Sequence, residues 1–100
     1  MTTTPHLYAP APFEPTTPAE AAAIHHTMRQ RLPAWTITER PLDYPDGYIA
    51  RLFLALPEPT VTDVALTAAT LDDLRELLPP GLCPIPRDPS DDHVIVESWL

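Results

Sequence analysis

The chain reads as an α+β domain: a mainly antiparallel sheet of about four strands, in the order α-β-β-β-α-β, with a helix packed on one face. Three observations predict this. Two segments alternate apolar and polar residues around a strong turn, which is the pattern of a strand pair. Two others repeat apolar residues at helical spacing behind a capping residue. Fifteen prolines against two glycines sit mostly at the ends of these segments. Proline fixes φ and lacks a backbone donor, so the clusters mark where regular structure stops.

The elements follow in order. Residues 1–16, with Pro5, Pro10, Pro12 and Pro15, read as a flexible, polyproline-like leader, and 17–100 as a single small domain. Thr17 as N-cap, Pro18 at the first helical position and Glu20 at the third form a capping box. The helix is predicted to run to about Leu32, where Pro33 stops it, with Ala21, Ile24, Met28 and Leu32 on its apolar face and His25 at the margin. Residues 34–40 alternate around Trp35 and Ile37 and predict a half-buried strand. The run Asp43-Tyr44-Pro45-Asp46-Gly47 predicts a turn. Residues 48–56 are apolar on both faces and predict a central strand, antiparallel to the first.

Residues 60–68 predict a third strand with Val64 and Leu66 inward. Thr70 then caps a second helix, with Asp72 and Asp73 in its first turn and a stripe of Leu71, Leu74, Leu77 and Leu78. Pro79-Pro80-Gly81 ends it, and 82–92 reads as a proline-rich loop. A last strand over 94–100 places Val94, Val96 and Ser98 on one face, and Ile95, Glu97 and Trp99 on the other.

The net charge is −8, with six arginines and no lysine. This argues against direct nucleic-acid binding, which rests on basic side chains, and suits a partner with a basic surface. One cysteine, Cys83, allows no internal disulfide and no Cys-rich zinc site. With no signal-peptide pattern and no apolar stretch of membrane length, the expectation is a cytoplasmic protein with no membrane contact.

The candidate chemistry is sparse, and neither a cofactor nor a metal is expected. His25 and His26 are adjacent on a helix and diverge by about 100°, which suits no shared ion. Asp88, Asp91, Asp92 and His93 are the densest oxygen-rich set, but they lack the alternating carboxylates and turn glycine of a calcium loop. They read more simply as a solvated acidic loop, or as an acidic binding surface. Cys83 has no spacing that makes His93 its base. Arg51 lies within the most apolar strand and must reach either solvent or a carboxylate, with Glu39 and Glu97 as candidate partners, or serve as a contact residue on an otherwise apolar sheet face; Tyr48, on the strand's other face, is a further binding candidate. Trp99 either closes the core or is offered, with its backbone, on an exposed final strand.

Tyr48-Ile49-Ala50-Arg51 in the second strand and Ala69-Thr70-Leu71-Asp72-Asp73-Leu74 at the helix start make residues 34–100 similar to the partial ribonuclease-H-like domain of HicB-type antitoxins. The resemblance implies a small acidic protein that neutralises a basic partner. The chain differs in its added N-terminal helix, and in lacking a glycine-rich turn after the second strand and a C-terminal DNA-binding segment. The expected function is therefore a non-enzymatic protein-interaction module, an inhibitor or antitoxin, acting through an acidic surface or by self-association at a sheet edge. The alternatives are a nucleic-acid-mimicking, phage-type inhibitor, or a small-ligand-binding or enzymatic domain using Arg51, Glu97 and His93.

Overall fold

The computed structural model describes residues 15–40, 45–90 and 94–100. Its order is α1 (Pro18–Thr27), a 3-10 turn (Arg29–Arg31), β1 (Pro33–Glu39), β2 (Tyr48–Leu54), β3 (Thr60–Ala68), α2 (Leu71–Leu77), β4 (Pro84–Pro86) and β5 (Ile95–Trp99). The architecture is α+β, but the sheet has five strands rather than four, antiparallel throughout, in the spatial order β3-β2-β1-β5-β4.

The extra strand comes from the predicted proline-rich loop. Pro84-Ile85-Pro86 pairs with Trp99-Ser98-Glu97 at the rim of the sheet. An outer strand needs donors on one side only, so prolines are tolerated there and deny that rim to further pairing. The final strand is consequently interior, held by β1 on one side and β4 on the other. Of the two readings of Trp99, the strand is thus not free at an edge, and Trp99 packs against the core. The opposite rim is β3, and it too is partly closed. The Thr16 N–H donates to the Ala65 carbonyl at 2.7 Å, and the Ala65 N–H donates to Thr16 Oγ1 at 3.2 Å. Thr16, placed in the leader by sequence, is thus tied to the sheet, while residues 1–14 lie outside the described residues.

Two local predictions shift for physical reasons. The first α-helix ends at Thr27, and the remaining turn tightens into a 3-10 form. Pro33 disfavours the α conformation at the residue before it, and Leu32 adopts φ 51 to swing the chain into β1. Leu32 is therefore 56% exposed instead of continuing the apolar face. In β5 the register slips by one residue between Ile95 and Glu97 against Thr38 and Ile37. Such a bulge breaks alternation, so Val96 packs against the core while Ser98 faces the other side with Thr36. A second irregularity lies opposite Leu52, where Thr62 Oγ1 donates to the Leu52 carbonyl at 2.9 Å.

Both helices cover one face of the sheet. The core on that face joins Ala21 of α1 and Leu74 of α2 to Trp35 and Ile37 of β1, Ala50, Leu52 and Leu54 of β2, and Leu66 of β3. Trp35, Ile37 and Leu74 are fully enclosed. The opposite face carries Ala34, Thr36, Arg51, Phe53, Thr67 and Ser98 among others.

The N-terminal capping box is formed as expected. The Glu20 N–H donates to Thr17 Oγ1 at 3.1 Å, and the Thr17 N–H donates to Glu20 Oε1 at 3.2 Å. Thr17→Ala is expected to cost about 1 kcal/mol in urea unfolding, with Thr17→Ser close to wild type. Equal stability of all three proteins would mean that α1 is held by packing alone.

Candidate functional site

Among the described residues, those singled out from sequence are divided between the two faces of the sheet and the 88–90 turn. Cross-strand partners share a face, so the pairs Glu39–Tyr48 and Ile37–Glu97 place Glu39, Tyr48 and Glu97 on the helix-covered side. Thr36–Arg51 places Arg51 on the other side. Arg51 therefore pairs with neither Glu39 nor Glu97, and Arg51 and Glu97 of the expected triad lie on opposite faces. Arg51 is half-buried, and burial lowers its pKa. Tyr48 packs against the core and donates its hydroxyl to Glu39 Oε2 at 3.4 Å.

Asp88 is exposed and closes a turn: the Ser90 N–H (2.8 Å) and the Ser90 hydroxyl (2.7 Å) both donate to Oδ1. These bonds, the hydroxyl first, hold its carboxyl below the usual range. Asp91, Asp92 and His93 lie outside the described residues. Among the described residues no three metal-ligating side chains gather, and no helix is long and apolar enough to cross a membrane.

Trp99 has a partner that sequence spacing did not single out. Its indole Nε1–H donates to Glu97 Oε2 at 2.6 Å. Arg75 of α2 grips the same carboxylate with two bonds, Nε to Oε2 at 2.9 Å and Nη2 to Oε1 at 2.7 Å. Asp72, one turn back, accepts from Arg75 Nη1 at 3.2 Å. Glu97 is only 8% exposed, so three donors replace the water it has lost. The Arg75 bonds hold its carboxyl below the usual range, against the opposing effect of burial. This group clamps α2 to β5.

A different site lies where β1 begins and β2 ends. There His25, Arg29, Leu32, Pro33, Ala34, Phe53, Ala55 and Leu100 line an open hollow of about 430 Å3. The backbone positions it firmly. The Ala55 N–H donates to the carbonyls of Arg31 (3.0 Å) and Leu32 (3.2 Å), which joins the 3-10 turn to the end of β2. Arg31 reinforces the join by donating through Nε to the Leu56 carbonyl at 2.7 Å. Leu100 is held by reciprocal backbone bonds with Cys83, at 2.9 and 3.1 Å.

His25 is oriented by the core. The Trp35 Nε1–H donates to His25 Nδ1 at 3.0 Å, with the ring planes 17° apart. In a neutral imidazole this leaves the proton on Nε2. Burial first, and then the neighbouring His26, lower its pKa and favour that neutral form. Arg29 uses Nη1 alone, donating to the His26 carbonyl at 2.8 Å and lying 3.3 Å from His26 Nε2. Neither residue was singled out for this hollow from sequence. A buried tryptophan needs an acceptor, but only the fold shows that His25 supplies it. Neither a family model, nor a curated protein, nor a solved structure matches the chain.

Proposed function

We propose that the protein is a small acidic interaction module that binds a protein with a basic surface. What carries the reading is how the two signs of charge are deployed. Glu20, Asp46, Glu58, Asp63, Asp73 and Glu76 all stand at exposed positions. Two arginines are instead engaged by the fold, Arg75 by Glu97 and Asp72 and Arg31 by the Leu56 carbonyl and Thr60. A net charge of −8 then acts outward as a negative field, which steers a basic partner and disfavours an acidic one. An inhibitor or antitoxin that neutralises such a partner is the specific form of this reading. Contact through the acidic faces suits the fold better than strand addition, since β4 is closed by its prolines and β3 is bridged by Thr16.

The test is capture from the native host with the tagged chain, at low and high salt, beside an Asp73→Asn/Glu76→Gln variant. A basic partner that is retained at low salt, released by high salt and weakened by the variant supports the reading. No specific partner, or one indifferent to both changes, overturns it.

A further inference from the structure

The hollow beside His25 has a chemistry of its own. At about 430 Å3 it falls within the range of roughly 300–1,000 Å3 typical of small-molecule sites. Its wall is apolar apart from two side chains, and both present donors. The His25 acceptor nitrogen is already taken by Trp35, which leaves Nε2–H. Arg29 carries its charge with Nε and Nη2 unused among the described residues. The Leu32 carbonyl accepts from Ala55, and one oxygen of Leu100 accepts from Cys83.

A cationic or donor-only ligand would meet no complementary side chain here, and a wholly apolar one would leave the donors unanswered. We propose that this hollow binds a small carboxylic acid with an apolar body, its carboxylate held by Arg29 and the His25 Nε2–H, and its tail laid on Leu32, Phe53, Ala55 and Leu100. The guanidinium fork suits a carboxylate in both geometry and charge. The exposure of Leu32 (56%) and Leu100 (52%) gives the tail apolar surface to cover. This site is separate from the acidic surface proposed above and does not depend on it.

The probes are octanoate, phenylbutyrate, octanol and octylamine, titrated calorimetrically into the full chain at neutral pH. One of the two acids is expected to bind saturably at one site, at least about tenfold more tightly than octanol, because a charge-assisted hydrogen bond is at stake. Octylamine is expected not to bind. Arg29→Leu should reduce acid binding to the level of octanol while leaving octanol unchanged, and Arg29→Lys should restore part of the difference. Because Arg29 is exposed, both variants are expected to fold, which circular dichroism checks. Failure of both acids to saturate, equal binding of acid and alcohol, or insensitivity to Arg29→Leu overturns the assignment.

Discussion

Arg75→Leu is expected to destabilise the protein through Glu97 and not through any contact of its own. The Glu97 carboxylate sits at 8% exposure with Arg75 as its only charged partner among the described residues. Stripping the counter-charge from a fully buried pair costs about 3–5 kcal/mol. Here water reaches the guanidinium end, so the loss on orphaning Glu97 is expected to be smaller, a fall in Tm of several degrees for a domain of this size. Arg75→Leu/Glu97→Leu should recover much of that loss, since two apolar side chains leave no unpaired charge.

The pH dependence follows from the same bond. Glu97 titrates below its ordinary 4.5 in the folded chain because Arg75 binds its charged form. Between that lowered value and 4.5 the unfolded chain takes up the extra proton. The stabilisation is therefore complete above about pH 4.5 and is lost as pH falls through the folded value. Glu97→Gln should flatten this acid limb in urea titrations. An unchanged limb would mean that other carboxylates govern acid unfolding.

Legibility from sequence followed the range of the forces involved. The cap at Thr17, the third strand over 60–68 and the start of α2 at Thr70 are set by neighbours within a few residues, and they appear where the pattern places them. Pro84-Ile85-Pro86 was not legible, because its strand character comes entirely from pairing with β5, against its own composition. The alternation over 94–100 misplaced Val96 for a related reason: a bulge is an accommodation between two strands. The partners of the candidate side chains were the least visible. Alternation along β2 already separates Tyr48 from Arg51, and the pairing with β1 places them on opposite faces. Arg75 is 22 residues from Glu97, and no local periodicity links them. His25 was visible at the helix margin, but its role depends on a tryptophan ten residues away across the core.

Trp35→Ala is expected to have the largest effect of any single substitution. Trp35 is wholly enclosed at the centre of the sheet, paired with Leu52 on one side and Trp99 on the other. Deleting a buried side chain of that size costs about 3–5 kcal/mol, from the lost burial together with the cavity left behind. That is a large fraction of the stability of a small domain, about 5–15 kcal/mol, so Tm should fall by roughly 15 °C or more. Trp35→Phe separates packing from hydrogen bonding. It keeps a ring in the core but removes the N–H that His25 accepts, at an expected cost of about 1 kcal/mol.

The histidine supplies a second readout of the same lock. Burial, and then His26, lower the His25 pKa below its ordinary 6.5. As pH falls below 6.5 the unfolded chain gains the proton first, so the stabilisation is complete above that value and declines beneath it. His25→Gln should remove this contribution while still offering Trp35 an oxygen acceptor. If Trp35→Ala instead lost no more than Trp35→Phe, the indole would not be filling the core, and the orientation of His25 at the hollow would lose its support.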